Sequence, residues 1–383
     1  THFQNLLQNK GIEGALLVQR ADTLYFSGTA QNVHVYIPGE GKPIVLARRD
    51  FRRAQSDSSW DVIQMRGRSG IPEYIQETGL PLPEILGLEL DVLPVNQFER
   101  IRQIFPHAKL VDVSREVRLQ RAVKSQWELA RQQESAQIQT LLLEYAKEVI
   151  YAGMTEIELE GLLFSKARLL GHGGYIRMRA FNSESRGGAI TSGARAAVAS
   201  FFDGPVTGQG ISIAHPAGAS MAQIQRGEPI SVDIGTVVHG YQIDQTRILS
   251  IGPLSEELVT VYEVAKKVEE LIMRALIPGR LAGDVYKETL TWIRENTPYE
   301  ENFMGYGPSR VSFVGHGVGL DLDELPTISR GSQEVLKSGM VLAIEPKFVF
   351  PGIGAVGIED TVVITDEAGA KYISTSPQEL III

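Results

Sequence analysis

Cysteine is absent from the sequence of 383 residues. Its absence excludes a disulfide framework, a thiolate nucleophile and any cysteine-ligated zinc or iron–sulfur site. A chain without cysteine suits a reducing compartment, so we expect a cytoplasmic protein. Long apolar runs are also missing, since no stretch reaches the roughly 18 residues of a membrane span. The N-terminal THFQNLLQNKG lacks the basic segment and apolar core of a secretory signal, so we expect no membrane partner.

Positive charge is in short supply as well. The chain carries 37 Lys and Arg against 46 Asp and Glu, which gives a net charge of −9 and a pI near 5.4. Nucleic-acid-binding proteins usually present a basic face, so the composition predicts no nucleic-acid partner. The hydrophobic content of 43% is ordinary for a globular protein, and the length allows two or three domains.

The first third of the chain predicts a small α/β unit over residues 1–120. Short apolar or alternating runs are separated by turn clusters, and a helical spacing follows at 95–105. This alternation is typical of a mixed sheet covered by helices. The predicted strand-like runs are GALLVQ (14–19), TLYFSG (23–28), VHVYIP (33–38), PIVLAR (43–48), ILGLELD (85–91) and KLVDVS (109–114).

A second domain is predicted over residues 121–383, beginning with two capped helices. Ser125 with Glu128, and Thr155 with Glu158, are capping boxes that open helices of which the first is long and amphipathic. A β-rich stretch is predicted from 173 through 182 to a hairpin at 232–247, and two more helices at 255–276 and 284–296; the last eighty residues predict strands and loops. The apolar stripe of the first helix comprises Leu129, Ile138, Leu141, Leu142, Tyr145 and Val149.

One predicted hairpin, VDIGTVVHGYQIDQTR (232–247), carries two acids that the register brings together. A two-residue turn at 239–240 sets Gly235 opposite Asp244. Asp233 shares a face with Gly235 because side chains repeat every second residue along a strand. The two carboxylates are therefore diagonal neighbours, roughly 7–8 Å apart at Cα, and the glycine leaves the space between them open.

A second predicted hairpin, VLAIEPKFVFPGIGAVGIEDTVVIT (341–365), repeats this arrangement. A turn centred on 351–354 sets Glu345 directly opposite Glu359. Two like charges that face each other across a sheet destabilise it unless a positive charge compensates. The alternative is that one glutamate points to solvent or pairs with a lysine such as Lys347. With four acids on two hairpins, inward-facing pairs are the better interpretation.

A histidine adds to these acids. FVGHGVGLDLDELP (313–326) places His316 between glycines in a predicted loop. Four carboxylates and one imidazole form a hard, oxygen-rich donor set that suits Mn²⁺, Co²⁺, Fe²⁺ or Zn²⁺. Two ions about 3.5–4 Å apart can share a hydroxide, which is a strong nucleophile at neutral pH. The sequence therefore predicts two divalent metal ions.

In their order and local context these residues resemble the pita-bread metallopeptidases, which include aminopeptidase P, prolidase (Xaa-Pro dipeptidase) and methionine aminopeptidase. The first 120 residues resemble the N-terminal domain of the aminopeptidase P, prolidase and creatinase branch. The resemblance implies an α+β fold in which a pita-bread catalytic domain follows a smaller α/β creatinase-like domain. It also implies a homodimer that cleaves Xaa-Pro bonds in small peptides with proline at the second position.

The resemblance assigns roles to the five residues and names Mn²⁺ first among the possible ions. Glu345 would also take a proton from the attacking, metal-bridging hydroxide or water, and His215 would stabilise the tetrahedral intermediate. The metal ligands would be Asp233 on one ion, Asp244 and Glu359 bridging both, and His316 with Glu345 on the second ion.

Two positions depart from the pattern of that branch. A histidine usually lies seven residues after the GHG histidine, where this sequence has Asp323, and an arginine usually lies two residues before the last glutamate, where it has Gly357. We expect Asp323 to take part in substrate binding, with Arg177 and Arg179, or Arg195, replacing the lost positive charge. The alternative for each arginine is an ordinary surface position.

Two other functions stay open at this stage. One is an enzyme of the same fold that acts on a small metabolite, as a creatinase-like hydrolase or a lyase; the departures at Asp323 and Gly357 keep it open. The other is a binding module that has lost catalysis. Creatinase-type members do without the metal ligands, and this chain keeps all five, which argues against a creatinase and against a loss of catalysis but leaves other small-molecule chemistry open.

Overall fold

The computed structural model describes residues 2–185, 187–366 and 369–383. The chain divides into two compact units. The first comprises residues 1–121 together with 180–182, and the second comprises 122–179 and 183–383. In the described residues no helix combines the length and the apolar character that crossing a membrane requires.

The first unit is built on a mixed sheet with the strand order β4-β3-β2-β1-β5-β6. Strands β1, β5 and β6 run parallel to one another, whereas β2 is antiparallel to both β1 and β3. Apolar side chains pack on both of its faces. The strands are β1 Gly14–Leu17, β2 Val33–Pro38, β3 Ile44–Ala47, β4 Asp61–Gln64, β5 Ile85–Leu88 and β6 Lys109–Asp112; the helices are α1 His2–Asn9, α2 Arg20–Ser27, α3 Phe51–Asp57, α4 Ile71–Glu77, α5 Val95–Ile104 and α6 Ser114–Ala122.

The prediction of a strand-like run at 23–28 was wrong, because this segment lies in helix α2. The side chain of Gln19 accepts a hydrogen bond from the Asp22 amide and caps the start of the helix. Gly28, with φ of 80°, ends it in the left-handed conformation that glycine adopts without cost. The local caps outweigh the β propensity of Tyr25 and Phe26.

Both predicted capping boxes of the second unit are confirmed. Ser125 and Glu128 open α7, and Thr155 and Glu158 open α8, each with reciprocal bonds between side chain and backbone. Leu141, which was predicted in the buried stripe of α7, is instead about half exposed. The helices of this unit are α7 Gln126–Val149, α8 Glu156–Leu169, α9 Glu256–Ala275 and α10 Ala282–Asn296.

The strands of the second unit form two larger sheets and two short ribbons. The sheets have the orders β19-β11-β8-β7 and β13-β12-β14-β17-β18, and the ribbons are β9–β10 and β15–β16. The strands are β7 Gly188–Ser192, β8 Ile230–Ile234, β9 Thr236–Val238, β10 Tyr241–Ile243, β11 Thr246–Ser250, β12 Phe313–Gly317, β13 Glu324–Ser329, β14 Val341–Ile344, β15 Lys347–Phe350, β16 Gly354–Gly357, β17 Asp360–Ile364, β18 Ala370–Tyr372 and β19 Ile381–Ile382.

The start of the predicted β-rich stretch was also wrong, because residues 173–182 form no strand. Only an isolated bridge involves it, between Ile176 and Ser185, and regular pairing starts at β7. Gly174 and Asn182 have positive φ angles of 97° and 58°, which interrupt an extended chain. The carbonyl of Arg177 accepts bonds from loop and side-chain donors instead of a strand.

Packing of the helices decides which face of the strands the acids use. Apolar residues of even number along β14 to β17, such as Ile344, Phe348 and Ile358, pack in one core with helices α9 and α10. Because side chains alternate along a strand, the odd-numbered Glu345 and Glu359 face away from this core. Both carboxylates therefore point to the opposite face.

Candidate metal centre

The first acidic hairpin has the register that the sequence predicts. Val238 pairs with Tyr241, and Asp233 with Thr246, on either side of the turn. His239, at the turn, is exposed and has a φ of 52°, and Gly240 follows with 89°, as a two-residue hairpin turn requires. The ladder is interrupted at Gly235 and Asp244, which lie between the strands on each side.

The second hairpin also has the predicted register. Ile344 pairs with Asp360, and Lys347 with Gly357, so the same register places Glu345 opposite Glu359. The amide of Glu345 donates to the carbonyl of Val314 at 3.0 Å, which fixes this position against β12. The two glutamates lie face to face as predicted.

The histidine comes from a third element, strand β12. Ligand atoms of Asp244, His316 and Glu359 all lie within 4.8 Å of one another. Nε2 of His316 is 3.7 Å from Oε1 of Glu345. Its Nδ1 lies 3.2 Å from the carbonyl of Gly317, so a proton on Nδ1 leaves Nε2 free to bind a metal.

Steric crowding explains why glycines lie on both sides of His316. A Cβ at position 315 would lie 2.6 Å from the carbonyl oxygen of Ala343, and one at 317 would lie 2.3 Å from that of Leu325. Neighbouring strands therefore approach β12 too closely for any side chain there. The GHG sequence places an imidazole between two close backbones.

A lysine lies among the carboxylates. Nζ of Lys347 is 3.0 Å from Oδ2 of Asp233, 3.0 Å from Oε2 of Glu345 and 2.8 Å from Oε2 of Glu359. Its side chain is only 3% exposed, so the ammonium is largely shielded from solvent. Lys347 thus pairs with a glutamate, which was one alternative, and the acids also converge, which was the other.

Strand periodicity could have revealed this lysine. Lys347 lies two residues after Glu345 and so shares its face, directly opposite Gly357. A Cβ at position 357 would lie 2.6 Å from Cα and 2.8 Å from Cγ of Lys347. The arginine expected at 357 has no room here, so the positive charge enters the site from the opposite strand.

Burial and mutual charge set the protonation of these groups. Burial raises the pKa of the Asp244 carboxyl well above its ordinary value, the carboxylates of Glu359 and Asp233 raise it further, and Lys347 partly opposes them. Burial raises the pKa of Asp233 as well, although the lysine lowers it. Burial lowers the pKa of Lys347, but the surrounding carboxylates outweigh burial and hold that pKa well above its usual range.

The donor set fits one divalent ion. Asp244, His316 and Glu359 offer two carboxylates and an imidazole, which is the chemistry that Mn²⁺, Fe²⁺, Co²⁺ and Zn²⁺ accept. Among the described residues no other set of three such side chains lies as close together. The donors do not fit a second ion beside Asp233 while the ammonium of Lys347 contacts that carboxylate.

The predicted substrate residues lie on two loops. The amide of Arg179 donates to Oδ1 of Asp323 at 2.6 Å, so this aspartate holds the 177–179 segment. The guanidinium of Arg177 stacks on Tyr175, with its carbon 5.2 Å from the ring centre. Arg195 pairs with Glu228 at 2.9 Å. The charge that reaches the carboxylates comes from Lys347 instead.

His215 lies in a turn and is exposed. Its amide donates to the carbonyl of Ser212 at 2.9 Å, and its own carbonyl accepts from Ile211. In the described part of the chain its ring makes no hydrogen bond or ion pair with the carboxylates. The role in stabilising an intermediate stays a prediction.

A cavity of about 790 Å³ opens next to the metal centre. Thr327, which pairs with His316 across β12 and β13, lines it, as does Phe313, whose ring centre is 6.3 Å from that of the histidine. Two cationic side chains, Arg310 and Arg330, also line it. The volume is within the range of small-molecule binding sites.

This chain is similar to known proteins over almost its whole length. The sequence pattern of Metallopeptidase family M24 matches residues 130–366, and that of the Creatinase/Prolidase N-terminal domain matches residues 1–123. The Xaa-Pro dipeptidase of Pyrococcus furiosus is 27% identical over 380 residues, which is 98% of this chain and 97% of that protein.

Solved structures share the fold over the whole length. The Xaa-Pro dipeptidase from Bacillus anthracis has a TM-score of 0.83 at 26% identity, covering 100% of this chain and 98% of that one. The X-Pro aminopeptidase from Thermotoga maritima has a TM-score of 0.82 at 24% identity, covering 100% of both chains. The predicted fold, a pita-bread domain after a creatinase-like domain, is confirmed.

Proposed function

Because the chain belongs to metallopeptidase family M24, we propose that it hydrolyses the peptide bond before proline in small peptides, as an Xaa-Pro dipeptidase or aminopeptidase. The observation that carries this proposal is the convergence of Asp244, His316 and Glu359 within 4.8 Å, with Glu345 beside the histidine. Full-length similarity to the Xaa-Pro dipeptidases of P. furiosus and B. anthracis supports the substrate class.

A divalent ion held by these residues would polarise the scissile carbonyl and lower the pKa of a water. Glu345 is the candidate general base. Its Oε2 accepts a hydrogen bond from Lys347, whereas its Oε1 faces His316. This fixed orientation presents Oε1 to the attacking water, from which it takes the proton that it then passes to the leaving amine.

The cavity beside the centre supplies room for a small peptide. Phe202, Tyr306 and Phe313 give it apolar surface, and Arg310 and Arg330 give it positive charge. A free C-terminal carboxylate is the group in a dipeptide that such guanidinium side chains recognise. A preference for Xaa-Pro dipeptides over the corresponding Xaa-Pro amides would support the dipeptidase form of the proposal.

A second candidate is the hydrolysis or elimination of a small metabolite on the same fold. Two observations favour it: Lys347 changes the charge among the carboxylates, and Asp323 stands where peptidases of this branch carry a histidine. Both change how a peptide would be held. Hydrolysis of peptides separates the two candidates.

The test uses protein loaded with Mn²⁺ or Co²⁺ and a panel of Xaa-Pro dipeptides and longer Xaa-Pro peptides. We expect cleavage by the wild type and a loss of about 10²–10⁴-fold for Glu345→Gln, because a general base contributes that much. Asp323→His should increase kcat/KM if Asp323 limits peptide binding. A wild type that leaves the whole panel uncut would overturn the proposal and favour the metabolite enzyme.

We also infer, from the same likeness, that Mn²⁺ is the preferred ion, that His215 stabilises the tetrahedral intermediate, and that the protein is a cytoplasmic homodimer. Light scattering gives the molar mass of the purified protein, and a dimer should show twice the mass of one chain. Activity after exchange with each divalent ion ranks the metals, and His215→Ala should lower kcat more than it raises KM.

A further inference from the structure

The carboxylates of the metal centre fall into two groups according to their partners. Lys347 contacts Asp233, Glu345 and Glu359 at 2.8–3.0 Å. Asp244 has no such cationic partner in the described chain, where its carboxylate accepts a hydrogen bond from the amide of the adjacent Gln245. One side of the centre is therefore occupied by a cation, and the other side lacks one.

The ammonium is held in place by the strands around it. The side chain of Lys347 is 97% buried, and three carboxylates contact its charged end. The pairing of Lys347 with Gly357 brings β15 and β16 too close for a side chain at position 357. A metal ion that used the same three oxygens would have to displace the buried ammonium from its carboxylate partners, which is costly.

The side without a cation has the donors of a metal site. Asp244 is more than nine-tenths buried, and its carboxylate lies within 4.8 Å of donors from His316 and Glu359. A buried carboxylate without a paired charge is costly unless it is protonated or binds a metal. A neutral Nε2 on His316 is the donor that a divalent ion accepts.

Charge counting points the same way. With all four carboxylates ionised, one ammonium leaves an excess of three negative charges, and one divalent ion reduces this excess to a single charge. A second divalent ion would make the cluster positive and would lie beside the ammonium. Repulsion between cations at such short range is strong in a buried site.

We propose that the centre holds a single divalent ion, ligated by Asp244, His316 and Glu359, and that the Lys347 ammonium takes the place of the second ion beside Asp233. This inference rests on the proposed metallopeptidase function and names the metal content of its site. This proposal differs from the two-ion prediction from sequence, because it assigns one of the two positions to a lysine.

The experiment counts bound metal without reference to peptide cleavage. The purified chain is stripped with chelator, equilibrated with Mn²⁺ and freed of excess ion by gel filtration. Mass spectrometry of the metal then gives the ratio of ion to chain, and electron paramagnetic resonance separates an isolated Mn²⁺ from an exchange-coupled pair. We expect one ion per wild-type chain and the spectrum of an isolated ion.

Lys347→Gln removes the charge while keeping a hydrogen-bond donor. We expect this variant to bind a second ion and to show the spectrum of a coupled pair. Lys337→Met, which removes an exposed lysine of the same unit, is the matched control and should keep one ion. His316→Ala should lose the ion, whereas Asp233→Asn should retain it.

Three results would overturn the inference, and each is read on wild type or on a variant that keeps Lys347. The first is two coupled ions in the wild type, and the second is no bound ion at all. The third is an ion lost in Asp233→Asn but kept in His316→Ala, which would place it on the other side. Failure to cleave Xaa-Pro peptides, with one ion bound, would count against the proposed function alone.

Discussion

Two neighbouring carboxylates, Glu359 and Asp360, point to opposite faces of the chain and meet two different cations. Glu359 contacts Lys347 at 2.8 Å on the face of the metal centre. Asp360 contacts Arg247 at 2.7 Å on the other face, and both partners are 0–1% exposed. The two pairs look alike as buried ion pairs, but their surroundings differ in charge balance.

On the arginine face every charge has its partner. The guanidinium of Arg247 donates to one carboxylate and to four backbone carbonyls, those of Thr246, Glu359, Ser376 and Pro377. A further carboxyl, Glu269, lies nearby. Burial, followed by the adjacent Asp360, raises the pKa of Glu269 well above its ordinary value.

On the lysine face one ammonium contacts three of four carboxylates, so negative charge remains. A balanced and fully bonded pair holds structure, whereas an unbalanced cluster has capacity for a further cation. Burial of an ion pair therefore does not reveal its role, whereas the charge that remains after pairing does reveal it.

Breaking the balanced pair has the largest expected effect on stability. Arg247→Met should lower the free energy of unfolding by about 3–5 kcal/mol, because it leaves the buried Asp360 carboxylate without its cation. Urea denaturation followed by circular dichroism measures the loss. Arg274→Met, at an exposed position of α9, is the control and should change stability by less than about 0.5 kcal/mol. Equal losses in the two variants would remove the distinction between the faces.

A substitution where the strands approach closely beside Lys347 should have a smaller effect on stability. Gly357→Ala should destabilise the protein by about 1–3 kcal/mol, because its Cβ would lie 2.6 Å from Cα of Lys347 and from the carbonyl oxygen of Pro346. Gly161→Ala, within α8 and in open space, should be neutral or slightly stabilising. Thermal unfolding compares the two; an unchanged Tm for Gly357→Ala would show that the strands are not so tightly spaced.

The smallest effect is a pH dependence on the arginine face. Because the pKa of Glu269 is raised in the folded chain, folding stability should fall as pH rises from its ordinary value near 4.5 toward the folded pKa. Glu269→Gln cannot ionise, so its stability relative to wild type should improve across that interval. Glu270→Gln, at an exposed neighbouring position on α9, should not show this relative gain. Urea midpoints measured from pH 4 to 8 give the difference, and parallel curves for wild type and Glu269→Gln would contradict it.

Local rules predicted much of the fold and the way the acids of the metal centre pair within each hairpin. The turn at 239–240 and the alternation of side chains fixed the positions of Asp233 and Asp244, and the same reasoning placed Glu345 opposite Glu359. The helix caps at 125 and 155 were equally local signals. The segment at 23–28 misled because its β propensity was outweighed by caps at both ends.

The role of Lys347 was the main element that sequence reasoning missed. Periodicity places it on the face of Glu345, but within one hairpin it predicts only a pairing with a single glutamate. Its contact with Asp233 joins residues 114 positions apart, on different hairpins. No rule of spacing within one hairpin predicts such a contact.

Turn geometry and strand alternation act over a few residues, so the amino-acid order is enough to predict which side chains share a face. It predicts two pairs of acids, one on each hairpin. Which cation these acids meet depends on contacts between distant parts of the chain. The distance between the hairpins, the strand spacing allowed by Gly357 and the approach of His316 from β12 depend on how whole sheets pack against helices. Those long-range contacts place a lysine on one side of the carboxylates and leave metal ligands on the other.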